Sequence, residues 1–176
     1  MKLTQILTLG MMTFFVACNA QEQKSNGGHA SATTSNEMGY NVEKSDSAWR
    51  ASLTDAQYRV LREKGTERPH TGEYNLHFEN GIYTCAGCGA ELFSSEAKFD
   101  SHCGWPSFDK ALSSNTVVEI PDSSHGMVRT EIVCANCGGH LGHVFDDGPT
   151  ETGMRYCINS VSLGFEEESS SSSEEK

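Results

Sequence analysis

Short runs of β-forming residues punctuated by Gly, Asn, Asp and Pro, with only one helical pattern beside them, predict a mainly β fold. The expected architecture is a small antiparallel β-sheet domain with a short helix at its N-terminal edge. The helix is read at Asp55 to Lys64, where Ala56, Tyr58, Val60 and Leu61 supply the apolar positions, Thr54 stands as N-cap and Gly65 ends the pattern. Pro69 stops any continuation, because the residue before proline is pushed out of the helical region. Strand-like runs follow at Tyr74 to Phe78, Ile82 to Cys85, Thr116 to Ile120, Val128 to Cys134 and Cys157 to Phe165. A length of 176 residues favours one core. A formal net charge of -11 with no run of Lys or Arg argues against a nucleic-acid partner.

The two ends read differently from the middle. Met1-Lys2 opens an apolar stretch from Leu3 to Val16 that reaches Ala17-Cys18, the layout of an export signal too short to span a bilayer. The small residue followed by cysteine resembles a bacterial lipoprotein signal, so residues 1–18 are read as a leader ending at a lipidated Cys18. Phe15 departs from the Leu-like residue usual in that pattern, and an ordinary cut after Ala20 is the alternative. Either way the expectation is export to the cell envelope, with the membrane reached by a lipid anchor only. Residues 19–45 are polar and small with no apolar period, a flexible linker whose span is on the order of 30 Å. The folded domain is read at 46–165, and 166–176, rich in Ser and Glu, as an acidic disordered tail.

The seven cysteines sort by spacing. Cys85 with Cys88 and Cys134 with Cys137 form two C-x-x-C-G elements, C-A-G-C-G and C-A-N-C-G, each after a strand-like run. Four soft thiolates on two tight turns are the donor set of one structural Zn2+, closed on all four sides and so without an open position for catalysis. A thioredoxin-type pair would belong at the start of a helix, and no helical pattern follows either copy. Two disulfides formed in an oxidising compartment are the other alternative.

Cys103 and Cys157 remain. A cysteine is nucleophilic as thiolate, and Arg155, two residues from Cys157, would share a strand face with it and with Asn159. A small buried hydrophobe is the competing reading of a free cysteine. His140 and His143 lie just beyond the second cysteine pair, beside Asp146 and Asp147. Histidine can donate a proton near neutral pH and an aspartate can fix its tautomer, although two such histidines could also be spare metal ligands.

These motifs resemble those of the type B peptide methionine-R-sulfoxide reductases. The resemblance runs through Cys85 to Cys88, G-W-P-S-F from Gly104, S-H-G-M from Ser124, Cys134 to Cys137, H-L-G-H-V-F from His140 and R-Y-C-I-N-S from Arg155, in order and at compatible spacing over roughly Ser52 to Phe165. His102 and Asp146 depart from the residues common at their positions. The resemblance implies a zinc-containing β fold and reduction of methionine-R-sulfoxide in peptides and proteins. It implies attack by Cys157, resolution by Cys103 through a disulfide, and recycling by a thioredoxin-like reductant. It also implies roles for Trp105, His140, His143, Asp147, Arg155 and Asn159. On this reading His140 and His143, held by Asp147, supply the proton; Trp105 walls the S-methyl group; Arg155 favours the thiolate; Asn159 orients the donors. A zinc-ribbon binding module would leave Cys103, Cys157 and Trp105 without a task, and a general thiol-disulfide exchanger would need neither Trp105 nor the histidines.

Overall fold

The computed structural model describes residues 39 to 168. The leader, Cys18, most of the linker and residues 169 to 176 lie outside the described residues. No helix of the described residues is long and apolar enough to cross a membrane.

Among the described residues, two short helices precede the sheets. α1 (Asp46–Ser52) is capped by the Ser45 hydroxyl, which accepts from the Ala48 amide, and it buries Trp49. α2 (Asp55–Leu61) carries a full capping box in which Thr54 and Gln57 satisfy each other's backbone amides, and it buries Tyr58, Val60 and Leu61. Only the second was legible, because α1 spans seven residues and shows one apolar anchor instead of a period. The second also ends earlier than expected, at Leu61, and Lys64 has already turned to a φ of 56°.

Nine strands follow: β1 (Gly81–Cys85), β2 (Glu91–Ser94), β3 (Lys98–Phe99), β4 (Ser107–Phe108), β5 (Val117–Asp122), β6 (Arg129–Cys134), β7 (His140–Phe145), β8 (Arg155–Ile158) and β9 (Leu163–Glu167). They form a three-stranded sheet in the order β2-β1-β9 and a six-stranded sheet in the order β3-β4-β8-β7-β6-β5. Every pairing between them is antiparallel. The mainly β expectation therefore holds. Tyr83, Phe93 and Phe108 fill the space between the sheets, the last two stacked at 4.4 Å between ring centroids.

Three local expectations are corrected. Tyr74 to Phe78 is not a strand: Asn75 donates to the Gly72 carbonyl in a turn, and the Tyr74 amide is taken by the Ser160 hydroxyl. Glu166 and Glu167, read as the start of the tail, pair with Ile82 and Gly81 in the β1–β9 ladder. Within the segment read as linker, the Val42 amide donates to the Asn136 carbonyl, and Tyr40 lies against Gly138.

Gly142 shows how little room the larger sheet leaves. It sits between Ile132 of β6 and Ile158 of β8, and a Cβ there would come within 2.0 Å of the Cys157 carbonyl oxygen. Backbone cannot yield as a side-chain tip can. Gly142→Ala should therefore destabilise the domain by about 2 kcal/mol or more, as overpacking does. Urea unfolding checks this; an unchanged midpoint would mean that β7 and β8 can separate freely.

Candidate functional site

Each C-x-x-C element is the turn of a hairpin. After β1 the Gly89 amide donates to the Cys85 carbonyl and the Cys85 amide to the Ala90 carbonyl; after β6 the Gly138 amide donates to Cys134 and the Cys134 amide to Gly139. Gly89 and Gly138 take φ of 74° and 67°, a conformation that glycine adopts without steric cost. The four Sγ atoms lie within 4.8 Å of one another, with Cys85 to Cys137 and Cys88 to Cys134 at 3.7 Å. That is far longer than a disulfide of about 2.05 Å. It matches the edge of about 3.8 Å that a thiolate tetrahedron has when each metal–sulfur distance is about 2.3 Å. The cluster can hold one metal ion, and it ties the smaller sheet (β1, β2) to the larger (β6, β7). α2 covers it: the Arg62 guanidinium donates to the Cys137 carbonyl, and Leu61 lies against Gly139.

The second site is a cleft of about 210 Å³ in the larger sheet, lined by Thr66, Trp105, Arg129, Gly142, His143, Phe145, Cys157 and Asn159. Strand register builds it. Cys157 of β8 stands opposite Ser107 of β4 on one edge and His143 of β7 on the other. Residues directly opposite share a face with Cβ atoms about 5 Å apart, so nucleophile candidate and imidazole candidate are neighbours by pairing alone. Cys103, 54 residues earlier, arrives from the loop before β4 and brings its Sγ to 3.7 Å from that of Cys157. The loop is held by tight geometry. His102 and Gly104 have φ of 57° and 94°, the Gly104 carbonyl accepts from the His70 amide, and a Cβ on Gly104 would strike Pro69 at 2.7 Å.

The two thiols share one hydrogen bond and titrate together. Cys103 is pushed down to about 4, first by the hydrogen bond from Cys157 and then, against burial, by bonds from the Ser101 and Ser107 hydroxyls. Cys157 is pushed up by the same hydrogen bond and by burial, with Arg155 opposing. The shared hydrogen bond lets one sulfur carry charge while the other keeps the proton, and either sulfur can be the donor. Arg155 acts in the expected direction without prevailing.

The carboxylates are not where the sequence put them. Asp147 makes a two-pronged ion pair with Arg155, at 2.8 Å to both Nε and a terminal nitrogen, and holds neither histidine. A fork of parallel bonds is the pairing a guanidinium favours, so Arg155 takes the acid next to it. Among the described residues His143 Nε2 instead meets Asp122 Oδ2 at 2.8 Å, and His140 Nδ1 meets Glu131 Oε1 at 2.8 Å. His140 is buried, outside the cleft lining, with its ring in edge contact with His143 at 5.5 Å. The buried Asn159 amide is occupied at both ends: its oxygen accepts from the Glu67 amide and its nitrogen donates to the Leu141 carbonyl. It shapes the cleft wall and does not orient the histidines.

Glu67 escaped the sequence reading because the partners of its carboxylate lie more than 90 residues away. Its carboxylate accepts from the Ser160 and Val161 amides at 2.6 and 3.0 Å, and its carbonyl accepts from the Trp105 indole at 3.3 Å. One buried residue thus anchors both the aromatic wall and the loop after Cys157. Arg129, Asp122 and Glu131 were missed too. The Arg129-Thr130-Glu131 alternation before Cys134 was the only local hint. A larger cleft of about 660 Å³ lies behind the loop, between α2 and Ser160–Val161, and neither Cys103 nor Cys157 lines it.

Comparison with known proteins agrees with this geometry. The SelR domain model matches residues 53–167. A peptide methionine sulfoxide reductase MsrB of Thiobacillus denitrificans is 63% identical over 122 residues, covering 69% of this chain and 92% of the relative. An Agrobacterium fabrum protein of the same name is 60% identical over 125 residues, 71% of this chain and 93% of the relative. One from Leptospira interrogans is 56% identical over 131 residues, 74% of this chain and the whole of the relative. With a domain match across both sheets and relatives covered over almost their full length, this chain belongs to the SelR-domain family, that of the MsrB peptide methionine sulfoxide reductases.

Proposed function

We propose that this chain is a peptide-methionine (R)-S-oxide reductase working through a cysteine sulfenic acid and a disulfide. The observation that carries the reading is the Cys103–Cys157 sulfur pair at 3.7 Å, with Cys157 lining a cleft walled by Trp105 and bordered by His143. Preference for the R epimer rests on family membership alone.

The reaction balances as follows. Cys157, as thiolate, attacks the sulfoxide sulfur while one proton is delivered to the sulfoxide oxygen; the oxygen passes to Cys157, giving sulfenic acid and methionine. Cys103 then condenses with the sulfenic acid, forming the S–S bond and releasing water. A thioredoxin-like dithiol supplies the two electrons that reopen the disulfide. The two sulfurs, 3.7 Å apart, can share one proton, so Cys103 can hold it while Cys157 carries the charge for attack. Arg155, oriented by Asp147, favours charge on Cys157. Trp105, pinned by its indole bond to Glu67, offers an apolar wall to the S-methyl group. His143 is the proton donor that reaches the cleft, and His140 supports its ring. Zn2+ held by Cys85, Cys88, Cys134 and Cys137 would cross-link the sheets and enter no step. We also propose export, with lipid on Cys18, so that the substrates are oxidised methionines of envelope proteins.

Three outcomes follow. The purified domain should contain close to one zinc per chain by elemental analysis, and a chelator or Cys134→Ser should unfold it, since metal binding and folding free energy are linked in such sites. A folded metal-free protein would refute the zinc role. Cys157→Ser should lose even the first turnover of a methionine-R-sulfoxide peptide. Cys103→Ser should still yield about one equivalent of methionine and then stall with a thioredoxin-like donor. Peptide mapping of the parent after one turnover should reveal the Cys103–Cys157 link; turnover of the S epimer alone would sink the assignment. Finally, intact mass of the native protein should show a diacylated Cys18 start, whereas a Gln21 start would place the cut after Ala20.

A further inference from the structure

The acid nearest the cleft imidazole stands on a strand that contributes no residue to the cleft lining. Asp122, the last residue of β5, is cross-strand partner of Arg129 on β6, and its Oδ2 receives both the Arg129 guanidinium at 2.6 Å and His143 Nε2 at 2.8 Å. Its Oδ1 accepts the Ser124 amide at 2.8 Å. Both oxygens are therefore occupied by donors, which leaves the carboxylate no reason to carry a proton. It is held well below the usual range, chiefly by its bonds from Ser124 and then by His143 and Arg129. An ionised carboxylate only accepts.

We propose that Asp122, itself held by Arg129, is the positioning residue that fixes His143 as the Nε2–H tautomer, so that the proton given to the sulfoxide oxygen leaves from Nδ1. This rests on the reductase reading for its substrate and on geometry alone for the tautomer. An acceptor at Nε2 requires a hydrogen there in both protonation states of the ring. The second proton of the imidazolium must then sit on Nδ1, the nitrogen that Asp122 leaves for a molecule in the cleft.

The charges around His143 set the sign of each substitution. Asp122 at the end of β5 favours the imidazolium; Arg129 on β6 and His140 on β7 oppose it, and burial opposes it most. Glu131, opposite His143 on β6, has its carboxylate bonded to His140 and to Lys64, while Cys157 and Arg155 face from β8. A step that needs the imidazolium is fast below the His143 pKa and slows as pH rises through it. Removing Asp122's charge lowers that pKa and moves the slow-down to lower pH. Removing Arg129's charge raises it and moves the slow-down to higher pH. General damage to the cleft would not give shifts of opposite sign.

The test uses the full zinc-loaded reduced protein in two measurements. Single-turnover reduction of a methionine-R-sulfoxide peptide is followed from about pH 5.5 to about pH 9, the range in which a histidine titrates. Asp122→Asn should lose about tenfold or more near pH 8 and less than about threefold near pH 5.5, its descending limb moving acid. Arg129→Met should move that limb alkaline, and Asp122→Glu, which keeps the acceptor, should stay near the parent. Imidazole 15N NMR, with His143 assigned by difference from His143→Gln, should give Nε2–H in the parent and a mixed or Nδ1–H tautomer in Asp122→Asn. Limbs that move together or not at all, or an Nδ1–H tautomer in the parent, would overturn the proposal. A parent that turns over no sulfoxide would defeat the reductase reading, and the NMR arm would still decide the tautomer.

Discussion

β8 is hydrogen-bonded on both edges, and the register of its two ladders decides what stands beside Cys157. Ser107, Cys157, His143 and Glu131 occupy successive positions of one cross-strand row through β4, β8, β7 and β6. Because side chains alternate with a period of two, a slip of one residue in the β7–β8 ladder would part Cys157 from His143, and one in the β4–β8 ladder would part it from Ser107. Gly142 lets β7 and β8 approach closely at this row. The site is thus a consequence of sheet pairing before it is a collection of reactive groups.

The pairing in turn needs the two sheets to stay together. The smaller one has three strands, and its apolar face must be covered by another layer. Tyr83, Phe93 and Phe108 provide apolar burial between the sheets, and the thiol cluster brings the ends of β1 and β6 together where one metal ion could join them. Glu67 completes the frame from the other side by bonding the loop after Cys157 and the Trp105 ring. Its carboxyl is nonetheless pushed up by burial, against the two amide bonds that favour the charged form. That balance is the ordinary cost of using a buried acid as a structural bracket.

Charge in the cleft is divided among groups that each lean on a different strand. Arg155 pairs with Asp147, His143 with Asp122 and His140 with Glu131. Asp122 also holds Arg129, and Glu131 also meets Lys64. The division keeps the thiol pair free of a competing carboxylate bond: the Cys103 sulfur meets hydroxyls, a carbonyl and the other sulfur. A thiolate can therefore persist there near neutral pH.

The sequence by itself determined the fold class, the four-cysteine cluster and the family, because each is written in local spacing. Two C-x-x-C-G turns carry their own hairpin geometry, Thr54 to Gln57 carries its own cap, and R-Y-C-I-N-S is one contiguous run. It did not reveal α1, the strand at His140 to Phe145, or the turn at Tyr74, since a lone buried Trp49, a run read for its histidines and a side-chain bond from Ser160 leave no periodic trace. Nor could it say which acid meets which base. Asp147 is four residues from His143 and pairs with Arg155, whereas Asp122, 21 residues away, reaches the imidazole across β6. Ion pairing follows the distance between side chains in space, and in a sheet that distance is set by strand order and register, which only the tertiary structure decides.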